Sequence, residues 1–357
     1  MGHSFLITGG GTGGHIFPAL AVAQVLRERA HKLLFVGTEN GMEARLVPEN
    51  GFEIAFLRIG GWNRVGFRKQ IRTAAQLPAS ILGARRILRQ WRPRAVFSMG
   101  GYVAAPVMVA AILDRVPLVV MEPNAVPGLA NRKMARRVYR ALLGFDSTRA
   151  WFPAGKAEVT GLPVRSEFFV VPAKRDGGFS VLITGGSRGA RTLNRASRES
   201  WRLFRERRAP VRIIHQSGAA EHEALASEFA ASGLEGEVVP FIQDMPGAFG
   251  GADVVIARAG AGSVSELAAA GMPSVLVPLP FAADDHQRKN AEAFVGQGAA
   301  RMILDQEMNG ARLFEEVEKL RANPTALAEM RVRVRQFARP GAADRAASVL
   351  EEAANAR

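Results

Sequence analysis

Leu6-Ile7-Thr8-Gly9-Gly10 near the start of the chain recurs as Leu182-Ile183-Thr184-Gly185-Gly186 about half a chain later. Each copy is a short apolar strand running into a glycine turn. Each is followed by a helical pattern, over residues 18–29 in the first case and 191–207 in the second. Strand, glycine turn and helix make the opening unit of a nucleotide-binding parallel sheet. Its repetition predicts two sheets of similar design in an α/β protein.

Further units of the same kind fill each half. Strands are expected over 32–36, 95–99 and 118–121, with helices over 68–90 and 102–113. The second half shows strand patterns over 211–215, 254–256 and 274–277, and helical ones over 263–270 and 285–296. A chain of 357 residues is too long for one ordinary core. Gly161-Leu162-Pro163-Val164-Arg165 is the natural break. The expected domains are therefore 1–163 and 164–337, with a last helix over about 338–357 packing back on the first. Two such domains are expected to face one another across a ligand cleft.

Composition narrows the function. The chain has no cysteine, which excludes disulfides and thiolate metal sites and fits a reducing compartment. Its opening lacks the basic and apolar regions of a secretory signal, so a cytoplasmic protein is expected. No charged residue lies between Arg94 and Asp114, a length near the roughly 20 residues of a spanning helix. Gly100, Gly101 and Pro106 interrupt it, so it reads as buried strand, turn and helix. The net charge of +14 calls for an anionic partner. From Ile54 through Leu113 there is no acidic residue, while Arg68, Lys69, Arg72, Arg85, Arg86 and Arg89 alternate with Leu77, Ile81, Leu82, Ile87, Leu88 and Trp91. That composition suits an interfacial helix on anionic headgroups, and equally a solvated basic surface. Nucleic acid is a poor fit, since aromatics are only 7% and no stacking signature is present.

The glycine stretches carry the chemistry. Gly9 through Gly14 lead to His15 at the mouth of a helix, where free amides favour an anion. No Lys-Ser/Thr pair follows, so this is not an ATP-type phosphate loop. His15 reads either as a cap on the turn or as a titratable catalytic group. Gly185-Gly186-Ser187-Arg188-Gly189-Ala190, with Arg165, could hold a diphosphate without metal, because the chain has no Asp-x-Asp pair. Ser263 and Glu266 have the spacing of a capping box, which by itself accounts for both; Glu266 could instead accept from ribose hydroxyls. Gly100-Gly101-Tyr102 is a weaker signal. Gln287 and Asn290 share a helix face suited to sugar hydroxyls. A dinucleotide oxidoreductase, with Glu39 as its acidic residue, leaves the second loop unexplained; a UDP-sugar epimerase is the nearer rival.

Taken in order, GGGTGGHIFPALAVA (9–23), GMEARLVPENG (41–51), MGGYVAAP (99–106), GGSRGARTLN (185–194), RAGAGSVSE (258–266) and DDHQRKNA (284–291) resemble the MurG family of cell-wall N-acetylglucosaminyltransferases. The resemblance covers nearly the whole chain. It implies a GT-B fold, UDP-N-acetylglucosamine as donor, lipid I (undecaprenyl-pyrophosphoryl-MurNAc-peptide) as acceptor and no cofactor. It implies an inverting transfer to the 4-hydroxyl of MurNAc that yields lipid II, at the cytoplasmic face of the bacterial plasma membrane. Thr12, Gly13, Gly14 and Asn124 would meet the donor sugar, and Arg165 and Ser187 the uridine diphosphate. Ile242 would offer a backbone contact to uracil. Ala261, Gly262, Ser263, Val264, Ser265 and Glu266 would hold the donor's sugar, phosphate and ribose, and Gln287 a sugar hydroxyl. His15 would serve as base or bind acceptor; Gly100, Gly101, Tyr102 and Asn290 are further candidates for acceptor or sugar contacts from their own pattern alone. The chain departs from the family where His-Glu-Gln-Asn is usual, having Met121-Glu122-Pro123-Asn124, and where Leu162 replaces an Asn. Because helix amides and Arg165 take the place of a metal here, transfer is expected to persist in excess EDTA; loss of turnover restored by magnesium or manganese would overturn this.

Overall fold

Central strands in both halves are apolar and buried on both faces, as parallel strands covered by helices must be. The computed structural model describes residues 2–10, 13–59, 67–172, 174, 177–280 and 285–356, with backbone alone for 67–75. It divides into two units, Met1–Val164 with Gly341–Arg357, and Arg165–Pro340.

The first unit runs β1 (Ser4–Thr8), α1 (Gly13–Glu28), β2 (Lys32–Gly37), α2 (Glu43–Glu49), β3 (Glu53–Phe56), α3 (Phe67–Trp91), β4 (Ala95–Ser98), α4 (Gly101–Leu113), β5 (Leu118–Glu122), α5 (Leu129–Met134), β6 (Arg140–Leu143) and β7 (Ala157–Val159). Its seven strands lie in the order β3-β2-β1-β4-β5-β6-β7, all pairs parallel. The uncharged stretch becomes β4 and α4, with Val103, Ala104, Val107, Met108, Ala110 and Ala111 buried. No described helix is long and apolar enough to cross a membrane.

The second unit holds β8 (Phe179–Thr184), α6 (Arg191–Glu206), β9 (Val211–Gln216), α7 (His222–Ser232), β10 (Glu235–Val239), α8 (Met245–Gly250), β11 (Val254–Ala257), α9 (Ala261–Ala270), β12 (Ser274–Leu276), α10 (His286–Val295), β13 (Arg301–Met302), α11 (Gly310–Arg321) and α12 (Pro324–Arg335). The order β10-β9-β8-β11-β12-β13 repeats the plan of the first sheet, again with every pair parallel. In α6 the buried Leu193, Ala196, Ser197, Ser200, Trp201 and Phe204 recur at helical spacing and cover the sheet.

The last helix, α13 (Ala342–Asn355), belongs to the first unit. It buries Ala346, Ala347, Val349, Leu350, Ala353 and Ala354, and Arg345 makes a bidentate bond to Glu158 of β7 at 2.6 and 2.9 Å. Helix α12, by contrast, stays with the second unit.

Two local differences matter for function. Helix α1 begins at Gly13, five residues before the Pro18 start expected. Pro18 therefore lies inside the helix, where it cannot donate to the Gly14 carbonyl, and Gly13, Gly14 and His15 form the first turn. On α3, Arg85 bonds Asp114 at 3.0 and 2.6 Å, and Arg89 approaches the same carboxylate at 3.7 Å. Those two charges are partly neutralised. Leu88 is in the core, while Leu82 is 64% exposed. The side chains of Arg68, Lys69 and Arg72 lie outside the described residues.

The turn after β8 needs glycine for two different reasons. Gly186 (φ +82°) has open space where a β-carbon would stand. At Gly189 (φ +71°) a β-carbon would fall 1.9 Å from the Ser217 carbonyl oxygen. Gly186→Ala is therefore expected to lose about 1–2 kcal/mol from left-handed backbone strain alone. Gly189→Ala should lose about 2–5 kcal/mol, because overpacking adds to the strain. Denaturant midpoints of the two variants check this, and equal losses would refute it.

Candidate functional site

In a doubly wound sheet the helices leave for opposite faces at the point where strand order reverses, and ligands bind there at the carboxyl ends of the strands. That point is β1/β4 in the first unit and β8/β11 in the second. The glycine motifs follow these strands, so each sheet carries one cluster of candidate residues.

In the first cluster, β1 and β4 pair from Phe5–Ala95 to Thr8–Ser98, and the Met99 amide donates to the Thr8 carbonyl at 2.9 Å. Gly9 and Gly100 are thereby brought side by side. His15 Nδ1 lies 3.2 Å from the Gly10 carbonyl oxygen. A carbonyl only accepts, so Nδ1 carries a proton, and in the neutral ring the lone pair is on Nε2. The ring rests on Gly101 (φ +81°), with Cε1 3.4 Å from where a β-carbon would be. Tyr102, in the first turn of α4, has its phenol pKa raised by burial, next by the charge of Glu43, against a bond with Thr38 that lowers it. Thr12 lies outside the described residues.

Two buried carboxylates that sequence reasoning missed support this cluster. Glu43 accepts from the Thr38 amide at 3.0 Å and hydroxyl at 2.8 Å. A β-carbon at Gly10, Gly37 or Gly41 would come within 2.1–2.5 Å of its side chain. Glu122 accepts four bonds: from the Asn124 amide (3.0 Å) and side chain (3.2 Å), the Gly128 amide (2.9 Å) and Asn131 (2.9 Å). Burial raises its pKa despite these donors. Asn124 is thus held by Glu122. The only sequence signal was the motifs themselves: Glu43 lies within residues 41–51, and Glu122 keeps the family's Glu between two changed neighbours. Met121 and Leu162, which stand where the family has polar residues, are buried in the core.

In the second cluster, Ser187 and Arg188 are exposed at the tip of the turn after β8, and no bond among the described residues takes their amides. The Ile242 amide, beyond β10, donates to Gln216 Oε1 at 2.8 Å. Helix α9 corrects the capping box. Its N-cap is Gly260, in extended conformation with no side-chain cap, and it starts at Ala261. Ser263 is already inside the helix, so it cannot cap, and Glu266 lies a turn further on. The first-turn amides of Ala261, Gly262 and Ser263 remain open to an anion. Val264 is buried and its amide donates to the Gly260 carbonyl at 3.0 Å, while Ser265 is half-buried.

Glu266 has its carboxyl pKa raised to about 7 by burial, with the Arg165 charge opposing the shift. The Arg165 guanidinium stacks 5.0 Å over the Phe168 ring, which fixes it near this helix. Gln287 Oε1 accepts from the Leu279 amide at 2.9 Å, which orients its side-chain NH2 as the group to offer a ligand. Asn290 is a correction: it is fully buried and donates to the Ala259 carbonyl at 3.1 Å, so it shapes the turn before α9 and does not reach a sugar. Arg258 bonds the Val277 carbonyl and Asp305, tying that turn to the ends of β12 and the following segment. Among the described residues, no cluster of three His, Asp or Glu could hold a metal ion.

Two parallel sheets of this strand order, each with a glycine turn at its switch point, make a GT-B fold. The sequence model of the glycosyltransferase family 28 N-terminal domain matches residues 5–143, and that of the family 28 C-terminal domain matches 180–346. A Solibacter usitatus protein named UDP-N-acetylglucosamine–N-acetylmuramyl-(pentapeptide) pyrophosphoryl-undecaprenol N-acetylglucosamine transferase is 57% identical over 98% of this chain and 96% of its own length. A Halorhodospira halophila protein of the same name is 42% identical, covering 98% of both chains. The crystal structure of Acinetobacter baumannii MurG superposes with a TM-score of 0.83 at 33% identity, covering 99% of this chain and all of that one. The chain belongs to glycosyltransferase family 28 and, within it, to the MurG family.

The absence of a capping box gives Glu266 a testable signature. Its pKa is about 7 in the folded protein against an ordinary 4.5, so between those values the folded state holds a proton that the unfolded chain has lost. Its contribution to stability is full below about 4.5 and is lost as pH rises through 7. Glu266→Gln should flatten that pH dependence and gain about 1 kcal/mol at pH 8, allowing for solvent screening. A capping glutamate would instead give a loss; denaturant midpoints at pH 5 and 8 decide.

Proposed function

We propose that this protein transfers N-acetylglucosamine from UDP-N-acetylglucosamine to the 4-hydroxyl of MurNAc in lipid I, with inversion, giving lipid II. The single observation that carries the reading is full-length similarity, 57% over 98% of the chain, to a protein named for that transfer. The residue chemistry supports it. The open amides of α9 and of Ser187 and Arg188, with Arg165, suit a diphosphate. Glu266 accepts from the ribose hydroxyls, Ile242 meets uracil through its backbone, and the Gln287 side-chain NH2 donates to a sugar hydroxyl.

In the reaction the acceptor's 4-hydroxyl oxygen attacks C1 of the α-linked sugar from the face opposite the diphosphate. A new C1–O bond forms as the C1–O bond to phosphate breaks. The hydroxyl proton passes to His15 Nε2, whose lone pair is set by the Nδ1 bond to Gly10. The leaving UDP takes the bonding electron pair, and helix amides with Arg165 stabilise the growing charge. Gly13, Gly14, Gly100, Gly101, Tyr102 and Asn124 shape the surroundings of this step. The basic, acid-free stretch, with Arg86 and Leu82 exposed, supports peripheral contact with an anionic membrane at its cytoplasmic face, where the acceptor is anchored.

Purified protein given labelled UDP-N-acetylglucosamine should release UDP only when a short-chain lipid I analogue is present, and the product should carry a β linkage by NMR. His15→Ala should lower kcat by about 10²–10⁴-fold, the usual worth of a general base. UDP release or sugar epimerisation without acceptor, or an α-linked product, would refute the reading.

A further inference from the structure

Gln216 ends β9, the strand between β8 and β10. It pairs in register with Thr184 and is 1% exposed. Its side-chain amide makes three bonds and reaches two different loops. Nε2 donates to the Gly186 carbonyl at 2.8 Å, in the turn after β8, and to Thr184 Oγ1 at 3.2 Å, at the end of β8 itself. Oε1 accepts from the Ile242 amide at 2.8 Å, in the segment after β10. The orientation of the amide is forced, because a carbonyl needs a donor and an N–H an acceptor; the flipped amide would satisfy neither.

The turn after β8 is itself organised around the atoms that Gln216 holds. The Gly186 carbonyl also accepts from the Gly189 amide at 2.9 Å, and Thr184 Oγ1 also accepts from the Gly186 amide at 3.1 Å. With these groups bonded inward, the amides of Ser187 and Arg188 are left open to a phosphate at the exposed tip of the turn. The loops after β8 and β10 are two strand spacings apart, about 10 Å, and share no strand pairing. Neighbouring bonds tie β9 to each side: Asn194 Nδ2 to the Ser217 carbonyl at 3.0 Å, and the Ser217 amide to the Val239 carbonyl at 3.0 Å. Among the described residues, Gln216 is the side chain that bonds both loops at once.

We propose that Gln216 is a positioning residue which holds the base-reading segment at Ile242 and the phosphate-reading turn at Gly186 at one fixed separation, so that a nucleoside diphosphate is selected as a unit. This rests on the donor reading above. A ligand spanning both loops gains from their fixed spacing, because its second contact forms without further ordering. A ligand touching one loop gains nothing from it.

The test compares calorimetric affinities of UDP, uridine and inorganic pyrophosphate in the wild-type protein, Gln216→Leu and Gln216→Glu. Gln216→Glu keeps the shape and the acceptor for Ile242 but loses the donor to Gly186, and it serves if the leucine variant fails to fold. UDP affinity should fall about tenfold in either variant, while uridine and pyrophosphate each change less than twofold. Equal losses for all three ligands would mark a merely structural residue and overturn the proposal, as would unchanged UDP affinity in a folded variant. A wild-type protein that binds no UDP would instead refute the donor reading and this inference with it.

Discussion

Parallel strands joined by right-handed crossovers must send their helices to opposite faces of the sheet somewhere, and the strands on either side of that point end with no helix over their seam. Everything chemical in this molecule depends on that geometry. It places Gly9 beside Gly100 and the turn at Gly185 beside the start of α9, although each pair is some ninety or seventy-five residues apart in sequence. The loops are short and glycine-rich because backbone must approach backbone there, as Gly189 does at Ser217.

Polar groups at these strand ends would be costly to bury unless they were bonded. The fold uses them as braces. Glu43 fills the space that side chains at Gly10, Gly37 and Gly41 would need, and Glu122 gathers residues 124–131 through four donors. His215 shows the other side of such burial: it bonds Asn194 at 3.0 Å, and burial depresses its pKa to about 4, so it remains neutral within the second unit. These groups hold loops in place, while Ser187, Arg165 and Gln287 stay exposed or half-buried.

A small shift in helix start changes what a residue can do. With α9 beginning at Ala261, Ser263 and Glu266 are released from capping. The carboxylate then has no amide to neutralise it locally, which is why burial raises its pKa and why a ribose hydroxyl would be a favourable partner. The same effect in α1 draws His15 into a first helical turn, where the Gly10 carbonyl fixes its tautomer.

The sequence by itself determined the class of fold, because a repeated apolar strand, glycine turn and helix admits few other uses, and motifs in order along the chain carried the family resemblance. It also marked most positions now at the two switch points, since turns that need glycine or expose Ser187 and His15 are written locally. Tertiary structure alone decided which polar residues touch solvent and which brace the loops. Asn290 looked like a sugar reader from its helical spacing with Gln287, yet the turn at Ala259 packs over it. Short strands such as β7, β10 and β13 gave too little apolar pattern to be read and exist because a neighbouring strand supplies their hydrogen bonds. Gln216 carries no local signature, and Glu43 and Glu122 none beyond the motifs that contain them. Their roles arise from partners a few residues away in a loop or on a neighbouring strand, and a burial that depends on tertiary packing leaves no periodic trace in the chain.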